Sequence, residues 1–315
     1  MIAAGSRRAV LVALLTNLLT AAAKTAAAII TGSTAMSAEA AQAFSDIGNQ
    51  LLLLVAQRRS GRPADERHPF GHGRDAYFWA LIASVGVFVA GALFSLREGI
   101  VQLIDPTPAE SFAVAYVVLA VAALMDGVSL RRVVRELREE AVVFRRDLLD
   151  QVVLTSDPTM RAVFAEDAAA IVGDVIALLG VALHQITGSP IPDGIAAVLI
   201  GLLVAGVGVQ LARRNRDFLL GEPAPPRARA EIDRFLVAFP GVVSVQELIV
   251  TFVGPRRLWV LARIDIDDAL RGDAVERLVG QLESGLMRQS RFVVRVDIVP
   301  IGDQGPSPLG SEQLT

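Results

Sequence analysis

Apolar runs recur six times along the first two thirds of the chain, over 9–30, 38–57, 77–98, 111–130, 162–186 and 192–212. Each is near the length that ~30 Å of hydrocarbon demands of a helix, so the pattern predicts six transmembrane helices. The first run follows Arg7 and Arg8 and continues to Ile30 with no cleavage pattern, which reads as a span rather than a cleaved signal peptide. After "GEPAPPRARA", a Pro-rich linker, the periodicity changes. Residues 228–240 carry Ile232, Phe235, Leu236 and Phe239 at helical spacing. "VSVQELIVTFVG" and "RLWVLARIDID" alternate as strands around a turn at Gly254-Pro255, residues 273–289 are again helical, and "RFVVRVDIVPI" is a third strand. The order αββαβ predicts a small cytoplasmic α+β domain of the ferredoxin-like kind. The expected organisation is a six-helix transmembrane domain over 1–220, the αββαβ domain over 221–302 and a Gly/Pro/Ser-rich disordered tail over 303–315.

The loops between the runs orient the chain. Arg58, Arg59, Arg62, Arg67 and Arg74 separate spans two and three. Arg131, Arg132, Arg135, Arg138, Arg145 and Arg146 separate spans four and five, and Arg213, Arg214 and Arg216 follow span six. The alternate loops, "TGSTAMS", "IDPTPAE" and "ITGSPIPD", contain no Lys or Arg. The positive-inside rule then places both termini and the Arg-rich loops in the cytoplasm.

Composition narrows the chemistry. At 53% hydrophobic, the chain is too apolar for an ordinary soluble domain. A formal net charge of −3 gives it no basic character suited to nucleic acid. Cysteine is absent, which removes disulfides, thiolate ligands and Cys nucleophiles. With three histidines in all, His68, His72 and His184, any metal site must lean on carboxylates and amides. No nucleophile–base arrangement or phosphate-binding loop is present, so an enzyme has little support.

Span two is apolar except for a stripe. Glu39, Gln42, Asp46 and Asn49 fall on one narrow face at 100° per residue. A carboxylate in hydrocarbon is costly and is by default a candidate for an ion path. Span five carries Glu166, Asp167 and Asp174 among Ala168, Ala169, Ala170 and Gly173, small residues that admit a neighbouring helix closely. Two helices with inward carboxylates can hold a hard or borderline divalent cation such as Mg, Mn, Fe(II) or Zn. The plainer alternative is interhelical hydrogen bonding, which suits Gln42, Ser45 and Asn49 taken alone. Asp174 divides evenly between ligand and local pairing partner. Lys24 in span one is a candidate partner for it or for another carboxylate, and Asp126 in span four is placed to join the same interior.

"TGSTAMSAEAAQAFSDIGNQ" followed by "DERHPFGHGRDAYFWAL" resembles the cation diffusion facilitator family of divalent-metal transporters, and the likeness extends over most of the chain. It implies a homodimer, expected in the plasma membrane, that exports Zn, or alternatively Mn or Fe(II), from the cytoplasm in exchange for protons. No cofactor is implied beyond the transported cation. The family's transport site draws on a pair four apart in span two, which falls here on Gln42 and Asp46. Its span-five pair falls on Glu166 and Ala170 or, shifted by one, on Asp167 and Ile171, as in the branch with an altered span-five motif. In the loop before span three, Asp65, His68 and His72 occupy the positions of a second, cytoplasmic metal site. His at i and i+4 beside a carboxylate is apt for Zn, while packing around Pro69, Gly71 and Gly73 explains the same residues without metal. His184 reads as an interfacial residue.

The expected mechanism places a divalent cation on Asp46 with Glu166 or Asp167, and a carbonyl oxygen from Gln42. Carboxylates in a low-dielectric site take up protons readily, so protons can replace the metal on the outer side. The alternative is a non-transporting dimeric scaffold that keeps the fold, its support being the absent ligands at Gln42 and Ala170.

Overall fold

A computed structural model describes residues 4–109, 111–144, 147, 152 and 155–301, with side chains from residue 17 onward except 87, 88, 140 and 142–144. Arg145, Arg146 and the predicted tail over 303–315 lie outside the described residues. Helix α1 spans Ala4–Thr31, α2 Thr34–Ser60, α3 Asp75–Val87 and α4 Leu93–Ile104, the last two joined through a π-helical turn at Phe88–Ala92. Helix α5 spans Phe112–Phe144, α6 Pro158–Thr187 and α7 Ile191–Leu220. Among the described residues, four helical segments are long and apolar enough to cross a membrane: α3 through α4, Phe112–Glu139 of α5, α6 and α7. Helix α2 has the length, at 27 residues, but its polar stripe and terminal arginines lower its apolarity.

The helices overrun the predicted spans. The largest excess is in α5, whose exposed Arg131, Arg132 and Arg138 continue the helix beyond its apolar part. Hydropathy marks where the apolar slab ends, whereas the backbone ladder stops only where caps or breakers end it. Helix α2 lies at the centre of the bundle, packed on α1, α3, α4, α6 and α7. Small residues make these approaches close. A Cβ at Gly99 would stand 2.7 Å from the Val198 backbone nitrogen, and one at Gly201 would stand 2.9 Å from that of Leu96.

The last third forms α8 (Pro226–Val237), β1 (Val242–Gly254), β2 (Arg257–Ile266), α9 (Asp273–Gln289) and β3 (Val293–Ile301). The sheet order is β1-β2-β3, with β1 and β2 antiparallel and β2 and β3 parallel, so it is a small mixed sheet. Alternate residues of β2, Leu258, Val260, Ala262 and Ile264, are buried with Ile232 and Leu236 of α8 and Leu278, Leu282 and Leu286 of α9 in one core.

That core continues into the membrane domain through Tyr77 and Phe218, whose rings stack 4.9 Å apart, with Phe252 of β1 edge-on to Phe218. The Tyr77 hydroxyl donates to the Ser156 carbonyl at 3.0 Å, and the Ser156 hydroxyl accepts from the Arg256 backbone N–H at 3.0 Å. Buried Arg161 donates to the Thr155 carbonyl and to Asn215, so α6 and α7 join the same knot. Gly73 passes directly over the end of β1, where a Cβ would collide with the Val253 carbonyl. Gly73→Ala is therefore expected to loosen this contact by about 1–3 kcal/mol, read as faster proteolysis or hydrogen exchange of the 61–74 loop.

Candidate functional site

Helix α2 starts under tight control. Ser33 caps it, accepting from the Met36 N–H at 3.2 Å. Asp193, wholly buried in the first turn of α7, adds a second cap from outside the helix. Its carboxylate accepts from the Ser33 hydroxyl at 2.7 Å and from the backbone N–H groups of Thr34 at 2.5 Å and Ala35 at 3.4 Å. Carboxylates at helix N-termini meet both unsatisfied donors and the positive end of the dipole. The rotation of α2, and with it the direction of its polar stripe, is thus fixed at one end. Sequence reasoning missed Asp193; the only signal was a "GST" helix start with no external acceptor assigned to it.

The stripe faces inward in two layers. In the first, Lys24 of α1 donates to Glu39 at 2.6 Å and forms an ion pair with Asp174 of α6 at 2.7 Å. All three are at most 2% exposed. Of the two partners expected for Lys24, the structure gives it both. Gln42 is also buried and turns its amide oxygen towards Gly173, where Glu39 points as well.

The second layer lies two helical turns away, about 10 Å along each helix. Asp46 is half-buried there, within electrostatic reach of Asp126 of α5 and of Glu166 and Asp167 of α6. Asn49 donates to the buried Glu166 in a short hydrogen bond, and Ser129 of α5 meets Asp167. One oxygen of Asp167 remains buried with no hydrogen-bond partner. Six carboxylates thus share an interior with a single ammonium among the described residues. Such an excess of like charge in a low-dielectric setting calls for a cation or for bound protons.

Asp46 lies within electrostatic reach of Glu166 and Asp167, a looser set than the 4.8 Å cluster of the loop described below, and Asp174 is drawn to Lys24 instead. Ala170 and Ile171 contribute no ligand atoms, and Glu166 and Asp167, adjacent in sequence, both turn into the polar interior. His184, near the end of α6, is turned into the protein: it is 3% exposed, lies edge-on to Phe112 at 5.3 Å and is within electrostatic reach of Asp193.

A separate cluster occupies the loop before α3. His68 Nδ1 lies 3.0 Å from Asp65 Oδ1, and His72 Nε2 lies 3.0 Å from Asp65 Oδ2. The ligand atoms of the three residues lie within 4.8 Å of one another, with Asp75 3.6 Å from the far nitrogen of His72. Gly71, at φ +76°, allows the turn that folds His72 back over His68. Phe70 packs on Trp259 of β2, which rests the loop on the sheet. Hydrogen bonds from His72 and His68 hold the Asp65 carboxyl well below the usual carboxylate range. A lowered value means that its ordering of the loop is complete above the ordinary carboxylate range and is lost only as pH falls through the lowered value. At neutral pH the site presents an ionised carboxylate beside two imidazoles, a set apt for Zn. Asp65→Ala is expected to weaken Zn binding at this loop by about tenfold or more, measured by titration of purified protein.

A family model described as the cation efflux transmembrane domain matches residues 10–220. The chain is 32% identical over 263 residues to the mitochondrial proton-coupled zinc antiporter SLC30A9 of Mus musculus, covering 84% of this chain and 46% of that protein. It is 30% identical over 262 residues to metal tolerance protein C4 of Arabidopsis thaliana, covering 83% and 57%. With the cation-efflux pump FieF of Escherichia coli it shares 29% identity over 263 residues, covering 82% and 80%. The chain spans about half the length of the first of these relatives.

Proposed function

The chain belongs to the cation diffusion facilitator family, and from that premise we propose that it moves a divalent metal cation out of the cytoplasm in exchange for protons. It is an integral multi-pass membrane protein of a transporter family rather than an enzyme. In this reading α1 and α2 complete six spans, both termini face the cytoplasm, the protein works as a homodimer in the plasma membrane, and 221–302 is its cytoplasmic domain. Zn is the first candidate cargo, since the relative in Mus musculus is named a zinc antiporter, with Mn and Fe(II) as alternatives.

The observation that carries the reading is the second layer: Asp126 of α5 and Glu166 and Asp167 of α6 lie within electrostatic reach of Asp46 of α2, and one buried Asp167 oxygen is left without a hydrogen-bond partner. Asp46, Glu166 and Asp167 are the proposed ligands. Glu166 and Asp167 take the place of the span-five pair four apart, which is how we read the altered motif. Gln42, one turn from Asp46, offers the cation its next oxygen along the stripe. Asp65, His68 and His72 form a second site at the Arg-rich end. Protons compete with the cation for the same oxygens, so carboxylates suffice for exchange with no histidine among the proposed transport ligands.

A scaffold that has lost transport would have Ala170 and Gln42 in its favour. It would also be expected to pair its buried oxygens, because each unpaired polar group costs stability; the oxygens of Gln42 and Asp167 that accept no hydrogen bond favour transport. The test is uptake of Zn, Mn and Fe(II) into proteoliposomes under an imposed proton gradient. Uptake of at least one of them is expected, whereas folded protein that moves none would support the scaffold.

A further inference from the structure

Of the 30 Lys and Arg residues in the chain, Lys24 alone is lysine. Every other basic position, in loops, helices and strands alike, uses arginine. Among the described residues, the exception is also the basic residue most deeply enclosed by acid groups, with two carboxylates from two helices at 2.6 and 2.7 Å. The two cations differ physically: guanidinium is a wide planar fork, whereas ammonium is a compact point charge on a flexible stem. Position 24 therefore carries the more compact of the two cations.

The surroundings of that ammonium are richer in oxygen than one lysine uses. Glu39 Oε1, Gln42 Oε1 and Asp174 Oδ2 are buried and accept no hydrogen bond. Gly173 leaves the space into which Glu39 and Gln42 point. A Cβ there would collide with Glu39 Oε1 and stand 3.4 Å from Gln42 Oε1. Two carboxylates and an amide oxygen gathered beside Gly173 are the donor types that a hard or borderline divalent cation takes. The position is on the path as well. Glu39 precedes Asp46 and Asp174 follows Asp167 by the same two turns, and α2 and α6 run in opposite senses, so both lie on the Arg-free side of the second layer.

We propose that Glu39, Gln42 and Asp174 form a second cation site on the transport path, and that the Lys24 ammonium is its tethered occupant, which the cargo cation must displace to leave. The inference rests on the transport reading for its path, but the site itself can be tested without transport. While Lys24 bridges Glu39 and Asp174, it closes the route from Asp46 towards the Arg-free end. Asp126 lies within electrostatic reach of Lys24 and offers the displaced ammonium a second seat. Each cargo cation then exchanges with a cation that never leaves the protein, so the layer is not left as bare buried charge, whose exposure to low dielectric is costly.

The test uses the full-length protein with Asp46→Ala and Asp65→Ala, each of which takes a central carboxylate from one of the other two proposed ligand sets, and compares stoichiometry against this background. Binding of Mn(II) and of Zn(II) is measured with and without Lys24→Gln. The Lys24→Gln protein is expected to gain one divalent cation per chain, to lose it again on adding Glu39→Gln, and to lose it equally on adding Gly173→Ala. A folded Lys24→Gln protein that gains none overturns the second site. If Lys24→Gln does not fold, Lys24→Arg in the otherwise native chain replaces it, since it keeps the charge. Bulk in the gap should then slow uptake by about tenfold or more, while binding at Asp46 persists, and an undiminished rate overturns the exchange. Failure of the transport reading has a different signature: Asp46→Ala alone would transport like the native protein, whatever Lys24→Gln binds.

Discussion

Asp46→Ala is expected to reduce metal uptake by reconstituted protein by about 100-fold or more. Asp46 is the α2 carboxylate of the second layer, and its neighbours Asp126, Glu166 and Asp167 all come from α5 and α6. Without it a cation would be held from one side of the path only and could not be passed between α2 and α6 as they move. Asp46→Asn keeps the shape and should fail nearly as badly, because charge is the property at stake. Glu166→Gln and Asp167→Asn should each cost less, since the adjacent carboxylate remains. Initial rates of Zn, Mn or Fe(II) entry into vesicles check the whole series, with thermal unfolding in detergent as the control for folding.

The second large effect is on stability. Asp193→Ala removes the shared acceptor of the Ser33 hydroxyl and the Thr34 and Ala35 N–H groups, all at a buried helix start. Water cannot replace it easily, so the expected cost is about 2–4 kcal/mol, above that of an ordinary surface cap. Asp193→Asn keeps one acceptor oxygen and should cost less than half as much. Thermal unfolding in detergent reads both variants. Because α2 carries Glu39, Gln42 and Asp46, hydrogen exchange along its first two turns should rise in Asp193→Ala before the bundle melts.

The sequence disclosed some of this directly and concealed the rest for identifiable reasons. The α2 stripe was legible because a helix repeats every 3.6 residues, so four polar residues at spacings of three and four must share a face. The αββαβ order was legible from alternation in 243–254 and 257–267 and from helical spacing in 273–289. The parallel pairing of β2 with β3 was not, since strand order depends on how α9 crosses the sheet. Asp65, His68 and His72 form a local cluster, and their spacing alone brings the rings together. Lys24, Glu39 and Asp174 come from three helices, and no periodicity says which neighbours meet. Periodicity put Asp174 on the same face as Asp167, correctly, but could not say that Lys24 had taken it. Asp193 was invisible for a different reason: an acid in the first turn of a helix ordinarily caps its own helix, and this one caps another. His184 looked interfacial from its place near a helix end, yet Phe112 covers it.

The central claim is that a cation path within the membrane, built from carboxylates and the Gln42 amide without a histidine ligand, exchanges metal for protons. It is tested most directly by following metal entry and internal pH together in vesicles that enclose a pH-sensitive dye, using the metal that gives the fastest uptake. The account predicts proton movement opposite to the metal, in fixed proportion to it, with both fluxes lost in Asp46→Ala. Metal entry with no accompanying proton movement, or fluxes that survive in Asp46→Ala, would contradict it.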